Sequence, residues 1–301
     1  MWKRALDRAG VREPRLRRDY TEQRAAVRRF TTAEYMAARL LLPAALLPHV
    51  VAAVAFMHDT DDRIDRGTPD ERAAALTEWD GLVRKSLAEG DSTLPALPVL
   101  RCLARTAESH PGIRAYVDDF LRGCEREVAW RTIADDEDLR RYVQEYSLPA
   151  LMLTAGLLAP EDAATRTAFT EGCHVLMRAM QRIDFLEDLP EDVRGGRHGI
   201  PLDALTRHGA DVTVPGPALG RLVEEQADRA AADLTAAAPL PSLVAPPYRP
   251  FVRALVGVQR LRLDGVRRAG ASLATRTSGP SVQAAALLLL REATRRFVGA
   301  A

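Results

Sequence analysis

An all-α chain is predicted by three features of the sequence. Strand signals are scarce: aromatic residues are 5% of the 301, β-branched runs are short, and no Asn-Gly or Asp-Gly turn joins two alternating segments. Apolar residues recur instead at helical spacing along nearly the whole chain. Prolines and glycines punctuate the ends of those periodic stretches. The pattern places helices over 20–29, 32–42, 49–66, 70–88, 97–108, 112–132, 136–158, 161–193, 216–236, 247–270 and 280–297. Pro43 with Pro48, Gly67 to Pro69, Pro111 with Gly112, and Pro160 mark helix ends. Pro149 is expected to kink the 136–158 helix. The Gly- and Pro-rich stretches 194–216 and 237–248 read as loops, with neither the length nor the composition of an interdomain tether. No repeat of 20–50 residues supports a solenoid. The reading is one helical domain over 21–301 behind a basic arm, 1–20, that is frayed or caps the surface.

Composition narrows the function classes. Hydrophobic residues at 47% and charged residues at 28% suit a soluble globular chain and exclude a wholly disordered one. The balance of 42 Lys plus Arg against 41 Asp plus Glu leaves no global field to recruit nucleic acid or an anionic membrane. Cys102, Cys124 and Cys173 are odd in number and lack CxxC spacing, which argues against a disulfide framework or zinc knuckle and for a reducing cytoplasm. No secretory signal opens the chain, because the first 20 residues are charged throughout. The apolar stretch 40–57 approaches a membrane-span length, but Pro43, Pro48 and His49 interrupt it and an acidic run follows. A buried core helix is the better reading.

That acidic run, His-Asp-Thr-Asp-Asp-Arg-Ile-Asp at 58–65, puts Asp61 and Asp65 one turn apart on one face, with Asp62 about 100° away. Carboxylates at i and i+4 repel. Alone, this is most simply a charged helix end at the surface. A second stripe, Asp184, Asp188 and Asp192 at i, i+4 and i+8, lies among apolar Met180, Ile183 and Leu186. Mg²⁺ takes oxygen ligands and shares them between one or two carboxylates and substrate phosphates, so a diphosphate bridged by Mg²⁺ suits two such helices. Pro190 disturbs the stripe, since it removes a helix hydrogen bond and biases Leu189 away from helical dihedrals. Two acid-rich helices tied to long apolar segments suggest a deep apolar pocket with a metal-bound polyanion at its mouth. There a diphosphate leaves and apolar walls shelter an allylic cation.

Four blocks of the chain resemble the squalene/phytoene synthase family of all-α isoprenoid enzymes. TTAEYMAARLLLP (31–43) is similar to its opening helix, and DDRID to its first Asp-rich motif. DFLRGCEREV (119–128) and DLRRYVQEYSLPALML (138–153) resemble its central helices. QRIDFLEDLPEDVRGGRHGIPLDAL (181–205) resembles its second Asp-rich motif with the following Gly-Arg and Leu-Pro element. The resemblance implies an isoprenoid-synthase-like helical bundle around a deep central pocket. It implies Mg²⁺ held by Asp61, Asp65, Asp188 and Asp192, and an active-site tyrosine at Tyr142.

The departures from the family pattern shape the expected chemistry. Members that join two diphosphates head to head usually carry Arg where His58 stands, Asn and Arg where Asp184 and Glu187 stand, and an aromatic, usually Tyr, where Gly199 stands. Two cations and an aromatic are lost and two anions gained, which should repel a second diphosphate. The expectation is therefore a Mg²⁺-dependent prenyltransferase of secondary metabolism. It ionises one allylic prenyl diphosphate and passes the prenyl group to a small aromatic acceptor, with Asp184 or Glu187 anchoring or deprotonating the acceptor. A terpene cyclase, a head-to-head synthase and a non-catalytic helical interaction protein stay open beside it.

Other residues have plainer readings to set against functional ones. Tyr142 could simply bury its ring and tie off its hydroxyl. Gln181 could hydrogen-bond diphosphate or acceptor, and Arg197 and Arg276 could clamp phosphate in bidentate geometry, although arginines are plentiful here. His58-Asp59 with His49 and His174 is too sparse for an HD-type hydrolase, and one Glu-x-x-His does not make a di-iron bundle.

Overall fold

The computed structural model describes residues 1–89 and 97–298. In chain order the helices are α1 (Trp2–Arg8), α2 (Pro14–Phe30), α3 (Thr32–Leu41), α4 (Leu47–Ile64), α5 (Pro69–Glu89), α6 (Pro98–Ser109), α7 (Ile113–Ala129), α8 (Asp136–Tyr142), α9 (Leu148–Ala155), α10 (Ala163–Glu187), α11 (Leu189–Arg194), α12 (Leu202–His208), α13 (Pro217–Ala236), α14 (Leu240–Leu243), α15 (Arg249–Ala269) and α16 (Val282–Val298). No β-strand forms among the described residues, and an isolated parallel bridge joins Thr132 to His198. The all-α prediction holds.

The chain folds into two compact units, the first containing Met1–Ala129 and Pro149–Ala159, the second Trp130–Leu148 and the chain from Pro160 onward. In the first unit, α4 packs against α2, α5 and α6. Val50, Val51, Ala52, Ala53, Ala55 and Phe56 are all buried, so the N-terminal half of α4 is buried around most of its circumference, as a central core helix must be. Among the described residues no helix is long and apolar enough to cross a membrane. His49 is buried too, its Nδ1 3.1 Å from Thr106 Oγ1, and burial holds its imidazole neutral, lowered to about 3. The basic arm forms α1 and the start of α2. Leu6 and Val11 are buried in a cluster with Tyr20, Ala52 and Cys102. Glu13 accepts from the backbone N–H groups of Arg15 and Leu16 and Pro14 takes the first helical position, so α2 starts earlier than its apolar periodicity indicates.

The second unit is built on α10, which packs against α13 and α15, while α13 and α15 pack against each other. Leu222, Val223, Ala227 and Ala230 of α13 and Val252, Val256, Leu263 and Val266 of α15 are buried. Two long predicted helices are interrupted. Over 136–158, a π-helical turn, Val143–Ser147, separates α8 from α9: the Leu148 N–H bonds Val143 O, five residues back, just before Pro149, which has no N–H to give. Over 161–193, α10 ends at Glu187 and α11 restarts with Pro190 in its first turn. The predicted loop 194–216 contains α12, closed by Gly209 at φ 57°.

Candidate active site

The first acidic motif lies at the C-terminal end of α4, where the dipole is already negative and carboxylates are disfavoured, whereas the second straddles a junction, with Asp184 in the last turn of α10, Asp188 between α10 and α11, and Asp192 in the first turn of α11. In the first unit, Thr60 and Ile64 are fully buried and fix the roll of α4. The Trp79 indole donates to Thr60 Oγ1 at 2.8 Å, and its ring lies 4.1 Å under the Arg63 guanidinium. Arg72 closes the helix end by donating to the Ile64 carbonyl and, at 3.3 Å, to the Glu127 carbonyl. Arg63 pairs with Asp59 at 3.0 Å and Arg66 with Asp62 at 3.4 Å. Asp61 is half-buried and Asp65, the residue that caps α4, is exposed. His58 stacks on Phe30, ring centroids 3.5 Å apart.

In the second unit, Asp188 is the junction between α10 and α11. Its N–H bonds the Asp184 carbonyl at 2.9 Å, and its own carbonyl accepts from Asp192 at 2.9 Å. Asp192 therefore stays one turn beyond Asp188 in spite of Pro190, on a new helix. Its carboxylate approaches Arg197 Nε at 3.9 Å. Asp188 is exposed, yet protein around it and the negative charges of Asp184 and Glu191 raise its carboxyl above the ordinary range.

Asp184 and Glu187, expected to serve an acceptor, are both engaged by Arg262 of α15. Arg262 Nε donates to Glu187 Oε2 at 2.8 Å, and a terminal nitrogen donates to both Asp184 Oδ1 and Glu187 Oε2. Glu187 is buried, with its other oxygen unpartnered; burial raises its carboxyl, an effect Arg262 opposes. Burial disfavours the Arg262 charge, but Asp184 and Glu187 outweigh it and hold the guanidinium protonated. Sequence reasoning missed Arg262, although two added anions called for a cation nearby.

Tyr142 is buried among Trp130, Tyr146 and Phe185, ring centroids 5.3, 5.6 and 5.7 Å away. Arg197 stacks over Trp130 at 5.4 Å. The segment 131–134 holds the following loop, its carbonyls accepting from His198 at 3.3 Å and Leu202 at 2.9 Å. A Cβ on Gly199 would overlap the Phe185 ring, so an aromatic from α10 fills the space beside this glycine. Gln181 is half-buried and accepts from Ser147 Oγ at 2.7 Å. Arg276 is exposed, its Nε on Ser272 Oγ at 2.8 Å, just after a turn, Gly270–Ala274, that packs against α11.

Among the described residues, no three His, Cys, Asp or Glu side chains converge to hold an ion by themselves. The donors at the helix ends are carboxylate oxygens, hard ligands of the kind Mg²⁺ takes. The raised Asp188 carboxyl, flanked by like charges, is the kind of group a cation relieves.

The Squalene/phytoene synthase family profile matches residues 28–289. The Bifunctional protein CrtB/UppS of Streptomyces coelicolor is 28% identical over 263 residues, 85% of this chain and 45% of that protein. The Phytoene synthase of Mycobacterium tuberculosis is 29% identical over 190 residues, 60% of this chain and 61% of that one. The chain thus spans between 45% and 61% of the length of these curated relatives. Among solved structures, squalene synthase HpnC from Alicyclobacillus acidocaldarius is similar at TM-score 0.74 and 22% identity, over 87% of this chain and 98% of that one. A dehydrosqualene synthase in complex with ligand is similar at TM-score 0.77 and 22% identity, over 93% and 97%. These likenesses fix the fold, and the family match covers both acidic motifs, Tyr142 and Arg197. The chain belongs to the squalene/phytoene synthase family.

Proposed function

We propose that this chain is a Mg²⁺-dependent prenyltransferase that ionises an allylic prenyl diphosphate. The observation that carries the reading is the close spacing of carboxylates at two helix ends, Asp61 and Asp65 at the C-terminal end of α4 and Asp184 and Asp188 at that of α10, where like charge accumulates and a divalent cation offsets it. Asp61 and Asp65 on one helix end, and Asp188 and Asp192 on the other, would hold Mg²⁺, which supplies charge neutralisation for the departing diphosphate. Arg197 would orient phosphate oxygens, with Arg276 as a second clamp. Tyr142 and its aromatic neighbours would stabilise developing positive charge.

Two acceptors fit. Transfer to a small aromatic acceptor, in secondary metabolism, follows from the altered residues His58, Asp184, Glu187 and Gly199. Head-to-head coupling of two prenyl diphosphates is favoured by Arg262, which returns a cation to the second motif, and by Phe185, which supplies an aromatic beside Gly199. Arg262 also occupies the two carboxylates that an acceptor would need.

Incubation with dimethylallyl, geranyl, farnesyl and geranylgeranyl diphosphates separately, followed by mass spectrometry, tests the reading. A hydrocarbon of doubled carbon number identifies head-to-head coupling, and an unreacted donor that is consumed on adding phenols or indoles identifies aromatic transfer. Mg²⁺-independent turnover, or no turnover under any of these conditions, would refute the proposal.

A further inference from the structure

We propose that Arg262 is a positioning residue that sets how many carboxylates the second acidic motif presents: it draws Asp184 and Glu187 against α15 and away from Asp188. This deepens the functional reading above and rests on it. Arg262 is half-buried on a helix face whose neighbours Gln259, Leu263 and Val266 are buried. All three of its nitrogens are engaged, Nε and one terminal nitrogen by the two acids and the other terminal nitrogen by Gln259 Oε1 at 3.2 Å. A planar guanidinium held at every nitrogen has one orientation. Asp184 and Asp188 are four residues apart on a helix, so their carboxylates are close enough to share a single ion. What keeps Asp184 from doing so is its bond to Arg262.

Two opposite effects follow from removing the cation. Freed, Asp184 and Glu187 add negative charge and a donor, so a divalent ion alone binds more tightly. The same added charge repels a diphosphate, so the ion–diphosphate pair binds less tightly. Loss of structure would weaken both together.

The experiment titrates Mn²⁺, an octahedral oxygen-binding stand-in for Mg²⁺, into the full chain and reads free Mn²⁺ by electron paramagnetic resonance, with and without inorganic pyrophosphate. For Arg262→Gln, Mn²⁺ alone should bind roughly tenfold more tightly and Mn²⁺–pyrophosphate roughly tenfold more weakly than in wild type. Asp184→Asn, which opens no core, should leave both within about threefold of wild type. Equal weakening of both by Arg262→Gln, or a tenfold or greater loss of Mn²⁺ affinity in Asp184→Asn, would overturn the assignment. If Arg262→Gln does not fold, Asp184→Asn decides alone. Failure of wild type to bind Mn²⁺ in either condition would instead strike the functional reading, and this assignment with it.

Discussion

Glu187 of α10 accepts from Arg262 of α15 at 2.8 Å, across 75 residues of sequence. This pair answers the charge imbalance of the second motif. Asp184 and Glu187 put two anions in the second motif, and Arg262 offsets one of them. The repulsion of a second diphosphate inferred from residues 184 and 187 is correspondingly reduced, and it no longer separates the two acceptor readings.

Tyr142→Phe tests whether the hydroxyl acts in turnover. The ring packs among Trp130, Tyr146 and Phe185, and phenylalanine keeps that packing. Turnover should fall roughly ten- to hundredfold, the worth of a hydrogen bond to a charged group. The melting temperature should stay within about 2 °C of wild type, since no cavity opens. Unchanged turnover would leave Tyr142 a packing residue.

Gly199→Ala should destabilise by about 1–3 kcal/mol, because its Cβ and the Phe185 ring claim one space. Denaturant melts of Gly199→Ala in wild-type and Phe185→Leu backgrounds check it. The smaller side chain should relieve most of the loss, and equal losses in both would show that Phe185 is not the obstacle.

Much of the fold was legible because helices are local. The ends of α4, α7, α13 and α15 fall within two or three residues of the periodicity's limits. What escaped was set by tertiary bonds or by proline placement. Pro149 and Pro190 were legible as a kink and a disturbed stripe, but not that a π-helical turn precedes Pro149 or that a new helix starts at Leu189. The N-terminal arm is too charged to signal a helix on composition, yet Leu6 and Val11 complete a cluster with Tyr20 and Cys102. The acidic motifs were visible as spacing. Their charge partner was not, since Arg262 reads as one more arginine until α15 is packed on α10. The signal that remained was Arg262 beside Gln259, one turn apart on an otherwise apolar face.

Stability should fall in mild acid through His49. Its folded value, about 3, lies below its unfolded value of 6.5, so folding demands the neutral ring. The contribution is complete above 6.5 and is lost as pH falls toward 3, at up to about 1.4 kcal/mol per pH unit. Urea denaturation at pH 7 and pH 5 should show a steeper loss for wild type than for His49→Gln. Equal slopes would assign the acid sensitivity elsewhere.

Asp19→Ala should destabilise the first unit by about 3–5 kcal/mol, because it removes one partner of a buried ion pair. Arg101 donates to Asp19 from Nε at 2.8 Å and from a terminal nitrogen at 2.9 Å, and both side chains are buried. Chemical denaturation measures the loss. A change below about 1 kcal/mol would mean that solvent reaches the pair.

Pyrophosphate release from farnesyl and geranylgeranyl diphosphates, followed with and without Mg²⁺ in wild type and Asp188→Asn, addresses ionisation itself. Wild type should release pyrophosphate only with Mg²⁺, and Asp188→Asn should be slower by about a hundredfold or more. Its melting temperature should be unchanged or higher, because Asp188 is exposed and crowded by Asp184 and Glu191. Release at wild-type rate by a folded Asp188→Asn, or release that ignores Mg²⁺, would contradict the account.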